Sequence, residues 1–131
     1  MASSLASKLQ IKPGKRLGVL NAPEGKLAQL EAELPGIEVQ AGASGAVDGV
    51  LLFIQSLAES ARLLSGAMEA VPPSGMLWVA YPKGGSGIKT DVNRDRLWAA
   101  VEPSGWRPVR QIALDEVWSA MRFRPAELVG R

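Results

Sequence analysis

Apolar residues along the 131-residue chain follow two alternating patterns. Some form short continuous runs bounded by turn residues, which is typical of buried strands, and others recur three or four positions apart, which is typical of one helix face. The patterns alternate from residue 16 to residue 123, and no internal repeat interrupts them. The sequence therefore predicts a fold of alternating strands and helices.

Six runs predict strands. They cover residues 16–20, 37–40, 49–54, 76–81, 109–114 and 117–123. The runs at 49–54 and 76–81 are apolar throughout, as expected of strands that are covered on both faces. The last two runs predict a hairpin around Asp115 and Glu116, and because this pair is not a favoured tight turn, we expect a turn of more than two residues.

Three helices are predicted between the strands. Leu27, Leu30 and Leu34 mark the first, which the Pro–Gly pair at 35–36 ends. Apolar residues from Leu57 to Val71 mark the second, which the segment 72–75 ends. The third follows a glycine-rich loop at 82–90 and begins near an N-cap at Thr90 or Asp91. We expect this third helix to bury one stripe, formed by Leu97, Trp98 and Val101.

This order of elements predicts the fold class α/β, as a three-layer Rossmann-like sandwich. The sheet should be mostly parallel and should end in a C-terminal antiparallel hairpin. A chain of this length predicts a single domain over residues 1–131. Within it, we expect residues 1–12 to be a flexible or loosely packed N-terminal segment.

The amino-acid composition limits the kinds of catalytic group and partner that the protein can have. The chain has no cysteine and no histidine, which removes thiolate nucleophiles, imidazole bases and most zinc or iron ligand sets. The net charge of +2 gives no sign of membrane or nucleic-acid binding, so we expect neither partner. The first residues lack an apolar core of signal-peptide length, and no segment reaches the roughly 20 apolar residues of a membrane span. We therefore expect a cytoplasmic protein.

Loops that follow the parallel strands are the expected place for a site, because ligands of such folds bind at the carboxyl ends of the strands. We predict no catalytic pair and no metal ligands there. The candidate ligand-binding residues in these loops and strand ends are Asn21, Glu24, Gly25, Ser56, Tyr81, Lys83, Ser86 and Lys89.

The loop at 82–90 has the strand-loop-helix context of a phosphate-binding loop. Lys83 and Ile88, however, occupy the two positions at which a Walker A loop needs glycine. Looser binding of a small anion by Lys83, Ser86 and Lys89 stays open. The alternative is a mobile glycine-rich crossover with solvated lysines.

Arginine and tryptophan alternate in the predicted hairpin, at Trp106, Arg107, Arg110, Trp118, Arg122 and Arg124. Such residues can stack on nucleic-acid bases or bind acidic partners. The alternation of apolar and polar positions along the strands instead suggests one buried face with the arginines at its rim. The apolar residues of that face would be Ile112, Leu114, Val117, Met121 and Phe123. We favour packing and a homodimer through this edge, so that the expected partner is a second copy of the chain.

Three segments, at 81–83, 89–98 and 118–125, resemble a family of small uncharacterised bacterial proteins, and the resemblance extends over most of the chain. It implies no activity. More coarsely, the order of elements resembles a truncated class I methyltransferase fold that lacks one strand–helix unit. The resemblance implies the sheet order second, first, third, fourth, sixth, fifth, with the last strand inserted antiparallel.

Two departures from that fold concern its cofactor. The segment 20–25 lacks the glycine fingerprint and contains Pro23, which has no N–H to offer. After the short second strand, Gln40 and Gly42 stand where an acidic residue would hold a ribose. The cofactor is therefore left unknown.

We interpret the chain as a non-catalytic cytoplasmic α/β domain that acts through self-association and through binding of a protein or a small anionic ligand. The alternative is a degenerate transferase-like enzyme that binds S-adenosylmethionine or a nucleotide. In that case the candidate residues, Gly25 aside, should line one pocket.

Overall fold

The computed structural model describes residues 4–43, 45, 47–72 and 75–125. Its helices are α1 (Leu5–Leu9), α2 (Lys26–Glu33), α3 (Leu57–Ala70) and α4 (Arg94–Val101), and a 3-10 turn follows at Glu102–Ser104. Its strands are β1 (Arg16–Leu20), β2 (Glu38–Ala41), β3 (Gly49–Phe53), β4 (Met76–Pro82), β5 (Trp106–Ala113) and β6 (Trp118–Pro125). All six predicted strands and all three predicted helices are present. Positions 1–3 of the predicted N-terminal segment and positions 73–74 of the predicted helix end lie outside the described residues.

All six strands form one sheet, in the order β2-β1-β3-β4-β6-β5. The first four are parallel, and β6 is antiparallel to both β4 and β5. This confirms the predicted Rossmann-like α/β class, the C-terminal hairpin and the sheet order. In the sheet, β2 lies on one side of β1 and β3 lies on the other, so the strand order reverses at β1. The carboxyl ends of β1 and β3 therefore flank the topological switch point.

Two hydrophobic layers cover the two faces of the sheet. On one face, Leu64 of α3 and Leu97 of α4 pack on β3 and β4. On the other face, Leu9 and Leu30 from α1 and α2 pack around Trp78 of β4, which is fully buried. Both helical layers depend on apolar residues spaced three or four apart, as predicted. Within the described residues, no helix combines the length and apolarity needed to cross a bilayer.

The connection from β2 to β3 is short, and residues 42–43, 45 and 47–48 of it are described. Gly42 N–H donates to Val19 O at 2.7 Å on the β2 side of β1, and Asp48 N–H donates to Arg16 O at 2.8 Å on the β3 side, so the connection passes from one edge of β1 to the other. A Cβ atom on Gly18 would lie 2.8 Å from Gly42 O, so only glycine allows the segment to lie this close to the strand.

Residues 5–11 pack more closely than the predicted flexible or loosely packed segment at 1–12. Leu9 and Ile11 are buried, and the indole Nε1–H of Trp78 donates to Leu9 O at 3.1 Å. A buried indole N–H needs an acceptor, and the end of α1 provides it. The segment thus covers part of the sheet that α2 leaves open.

Two packing predictions for the C-terminal part were wrong. Trp98 on α4 is 45% exposed, whereas Leu97 and Val101 are buried, because an eight-residue helix presents only a narrow stripe to the sheet. In the hairpin, Met121 and Phe123 face the α4 side. Ile112, Leu114 and Val117 face the α1 side instead, because the turn spans 114–117 and shifts their phase. The turn is longer than two residues, as expected.

Candidate functional site

The switch-point crevice lies between the ends of β1 and β3. Asn21, the first residue after β1, has a left-handed backbone with φ of 57°, a conformation that asparagine tolerates better than most residues. Its side-chain Nδ2 donates to Phe53 O at 2.8 Å and to Glu59 Oε2 at 3.0 Å. These two hydrogen bonds join the two sides of the crevice.

Glu59 is the acidic residue that occupies the crevice. It stands three residues after Ser56, whose Oγ accepts from Glu59 N at 3.1 Å and caps α3. Glu59 Oε1 in turn accepts from Gln55 N at 2.6 Å. The hydrogen bond from Asn21, followed by the one from Gln55 N–H, lowers the pKa of Glu59. The carboxylate is therefore held ionised across the crevice.

Little room remains in the crevice for a cofactor. The cavity that Asn21, Pro23 and Glu59 line together with Phe53 and Trp118 has a volume of about 190 Å³. Sites for drug-sized ligands and cofactors usually enclose about 300–1,000 Å³. The crevice alone is therefore smaller than that range, and Pro23 offers no N–H to a ligand there.

A larger cleft of about 570 Å³ lies beside the crevice, between the loops after β3 and β4. Its lining residues are Gln55, Ser56, Glu59, Lys89, Thr90 and Asp91. Thr90 Oγ1 donates to Gln55 O at 2.6 Å, and Asp91 Oδ1 accepts from Leu57 N at 2.8 Å. These contacts fix the two loops to each other.

The same contacts correct the predicted start of α4. Neither Thr90 nor Asp91 caps that helix, because both side chains bond the neighbouring loop. Asn93 is the N-cap instead, and its Oδ1 accepts from Arg96 N at 2.9 Å. Lys89 lies outside the helix, as predicted.

The charge of the cleft does not favour an anion. Two carboxylates, of Glu59 and Asp91, and one cation, of Lys89, line it. Asp91 and Ser56 also occupy the amide N–H groups of Leu57 and Glu59, which an anion at the start of α3 would need. Side-chain oxygens of Asp91 and Ser56 thus bind two of the amide groups at the start of α3.

The candidate residues do not line one pocket. Ser56 and Lys89 line the cleft, and Asn21 lines the crevice. The other five candidates line neither cavity: Glu24, Gly25, Tyr81, Lys83 and Ser86. Gly25 has a left-handed backbone and caps α2, and Glu24 beside it is exposed.

Three of those five residues have structural partners. Tyr81 is buried on the α4 side of the sheet, where its hydroxyl accepts from Gln111 Nε2 at 3.0 Å and burial raises its pKa. Lys83 N donates to Val117 O at 2.8 Å and so extends the pairing of β4 with β6. Ser86 Oγ accepts from Ile88 N within the glycine-rich loop. Within the described residues, no three acidic side chains are grouped as metal ligands.

Sequence reasoning missed Glu59, Gln55 and Asp91 as residues of the two cavities. Glu59 had a signal, because a serine followed three residues later by a glutamate is a capping box. That motif predicts a cap for α3, but it does not predict a hydrogen bond to Asn21 on another strand.

Comparison with known proteins adds information about the fold. Neither a scan against protein-family models nor a search of curated proteins found a match. Solved structures do match. They include the mitomycin 7-O-methyltransferase MmcR, with a TM-score of 0.62 and 15% identity over 86% of this chain and 49% of that one. The ribosomal protein L11 methylase of Lactobacillus delbrueckii subsp. bulgaricus matches with a TM-score of 0.58 and 9% identity, over 92% of this chain and 74% of that one.

A third match is the tRNA methyltransferase TrmK of B. subtilis, with a TM-score of 0.51 and 8% identity. The match covers 95% of this chain but only 66% of TrmK. Identities this low show the fold alone. The chain therefore has a class I methyltransferase-like Rossmann fold and is similar in fold to these enzymes. The bacterial origin that the resemblance implied stays a prediction.

Proposed function

We propose that this protein is a non-catalytic binding domain built on a methyltransferase-like fold. The observation that carries the proposal is the hydrogen bond between Asn21 and Glu59, which joins the two sides of the switch-point crevice. In folds of this type the cofactor binds at this crevice. Here the Glu59 carboxylate projects into the crevice, and the cavity of about 190 Å³ that remains is below the usual size of a cofactor site, which supports the proposal.

The side chains around the crevice and the cleft also offer little catalytic power. A general base works best with a pKa near the operating pH, whereas the pKa of Glu59 is lowered. Asp91 accepts from Leu57 N, and the hydroxyl of Tyr81 accepts from Gln111 of β5. These partners support structural roles for all three residues.

The proposal includes self-association through β5. This strand is at the edge of the sheet, eight residues long, and its outer backbone groups have no neighbouring strand within the described residues. Val109 on the strand is 40% exposed and Trp98 on α4 is 45% exposed. The unpaired backbone groups of an edge strand can pair with another strand, and a second copy of the chain offers the same edge. Pro108 and the irregularity between Pro108 and Arg110 confine such pairing to the part of β5 from Arg110 to Ala113.

A degenerate transferase is the second candidate, and the fold is the observation that favours it. All three similar structures described above are methyltransferases by name. This candidate requires Glu59 to leave the crevice when S-adenosylmethionine binds. Opening would break the hydrogen bonds from Asn21 and Gln55 N–H, so the cofactor would have to replace both.

A thermal-shift screen with light scattering on the same sample tests the proposal. S-adenosylmethionine, S-adenosylhomocysteine and adenosine carry no phosphate, so they report on the crevice and not on phosphate binding elsewhere. Ligand at about 100 times its dissociation constant adds roughly 2.7 kcal/mol, which raises the Tm of a domain of this size by several degrees. We expect no shift in Tm and the mass of a dimer.

A clear shift with S-adenosylhomocysteine that the Lys89→Gln variant retains and the Asn21→Ala variant loses would contradict the proposal. That result would establish the crevice as a cofactor site. A monomeric mass at all concentrations would contradict the self-association through β5.

A further inference from the structure

Four arginines lie on one face of the β5–β6 hairpin. The strand register places Arg107 opposite Arg124 and Arg110 opposite Arg122. Directly opposite residues share a face of the sheet, and so do Arg122 and Arg124, which are two positions apart. This is the side on which α1 packs, because Ala120 of the same strand belongs to that layer. Like charges placed opposite each other are unfavourable, so a packing role does not explain the pattern.

None of these arginines forms an ion pair with a residue in the described ranges. The acidic residues of the chain that do form pairs bind cations elsewhere. Asp115, for example, binds Lys26 at the other end of the hairpin. The arginine face thus carries positive charge that the described part of the protein leaves uncompensated.

Arg122 extends this charge into a pocket of about 370 Å³. Lys12 and Lys15 line the same pocket, together with Asp48 and Gln10. The pocket lies at the amino ends of the parallel strands, on the edge of the sheet opposite the crevice. Asp48 Oδ2 already accepts from Arg16 N at 2.8 Å, and three cations outnumber this one carboxylate.

The guanidinium of Arg122 presents an unused hydrogen-bonding edge. Its Nη1 donates to Gln10 Oε1 at 2.6 Å. Its Nε–H is buried, and neither Nε nor Nη2 has a partner among the described residues. Nε and Nη2 form the fork that binds two oxygens of a phosphate or carboxylate at once. A buried N–H without an acceptor is unfavourable, so a small shift of the guanidinium that lets an anion in the pocket reach Nε would be stabilising.

The electrostatic environment of Arg122 also favours an anion in the pocket. Burial lowers the pKa of Arg122, and the charges of Arg124 and Arg110 lower it further. Both effects act against the protonated guanidinium, and the attraction of a negative charge in the pocket would offset them.

We infer that this pocket binds a phosphate-bearing small molecule through the Nε and Nη2 fork of Arg122, with Lys12 and Lys15 holding further phosphate oxygens. A ligand with two linked phosphates matches three cations better than one with a single phosphate does. The volume lies within the range of small-molecule sites. The inference does not depend on the closed crevice, which lies at the opposite edge of the sheet.

A nucleic-acid strand is the less suitable occupant of this face. Sequence-independent binding of single strands uses exposed aromatic rings between the cations. Trp118, the tryptophan on this side of β6, is buried and packs edge-to-face on Phe53, with ring centroids 5.1 Å apart. The arginine face therefore lacks an exposed tryptophan on which bases could stack.

Calorimetric titration of the full chain with pyrophosphate tests the inference. We expect one site per chain, and we expect the Arg122→Gln variant to bind at least about ten-fold more weakly, since a charge-assisted bidentate contact is lost. The double variant Lys12→Gln and Lys15→Gln changes two exposed side chains, so it should keep the fold and also weaken binding. Lys89→Gln, at the opposite edge, is the matched control and should bind as the wild type does.

Each of the following outcomes would overturn the inference. The first is that pyrophosphate does not bind to the wild type. The second is that Lys89→Gln weakens pyrophosphate binding as much as the variants of the pocket do. The third is that a single-stranded oligonucleotide binds and that pyrophosphate does not compete with it. Arg122→Lys separates geometry from charge, because it keeps the charge and removes the fork. Equal affinity of this variant and the wild type would also contradict the role given to Arg122.

Discussion

Replacing Gly18 by alanine is expected to lower the free energy of unfolding by about 2–3 kcal/mol, the upper part of the range for overpacked interiors. The new Cβ would lie 2.8 Å from Gly42 O and 3.1 Å from Ala43 Cα, both backbone atoms that cannot rotate away. Relief requires the segment that crosses β1 to move. That movement would weaken the hydrogen bonds of Val19 and Arg16 to the segment.

Gly66→Ala is the matched control for this prediction. Gly66 lies within α3, and a Cβ there would meet nothing within 4 Å. Alanine at such a position stabilises a helix by roughly 0.5–1 kcal/mol. Urea unfolding of both variants should therefore give changes of opposite sign. Equal stability of Gly18→Ala and the wild type would mean that the segment does not lie on β1.

The Asp115→Ala variant is expected to lose about 2–4 kcal/mol at neutral pH, close to the cost of breaking a buried ion pair. Asp115 Oδ1 accepts from Val117 N at 2.7 Å and from Trp118 N at 2.8 Å, and Oδ2 binds Lys26 of α2. Alanine removes all three contacts. It also leaves the Lys26 side chain, which is only 11% exposed, without its counter-ion.

The loss of stability expected for Asp115→Ala depends on pH. Burial acts to raise the pKa of Asp115, but the hydrogen bonds from Lys26, Trp118 and Val117 outweigh it, and the pKa is lowered overall. A carboxyl with a lowered pKa in the folded state stabilises fully above its unfolded pKa. That contribution is lost as the pH falls through the folded pKa.

The stability difference between the wild type and Asp115→Ala should accordingly shrink between neutral pH and about pH 2, measured by urea unfolding. Glu116→Ala changes the exposed neighbouring acid and should have little effect at any pH. A difference that stays constant over this range would mean that the charge of Asp115 does not hold the turn.

The helices and strands could be predicted from the sequence because each buries a regular stripe or a continuous run. Leu57 to Val71 and the run at 76–81 were sufficient signals by themselves. The exposure of the Trp98 side chain could not be predicted from such a pattern. Its spacing fits the stripe of Leu97 and Val101, but the width of the stripe is set by how closely α4 lies on the sheet.

Contacts between segments that are distant in the sequence explain the other differences between the predictions and the structure. The burial of Leu9 depends on an acceptor for the indole of Trp78, and these residues are 69 positions apart. The closure of the crevice depends on Asn21 and Glu59, which are 38 positions apart. Local patterns identified the loops at the carboxyl edge of the sheet. They could not show that side chains of these loops bond each other.

The basic pocket is a similar case. Sequence reasoning noted the arginines of the hairpin and assigned them to the rim of a buried face. Only the register of β5 and β6 shows that they lie opposite one another, and only the fold brings Arg122 beside Lys12 and Lys15.

The central claim is that Glu59 closes the cofactor crevice by its bond to Asn21, and an NMR titration of the Glu59 side-chain carboxyl carbon tests it most directly. We predict a pKa below the usual range of glutamate in the wild type, because Asn21 and Gln55 N–H stabilise the ionised form. In Asn21→Ala the pKa should rise towards that range. An ordinary pKa in the wild type, unchanged in Asn21→Ala, would contradict the closed crevice and with it the proposed loss of cofactor binding.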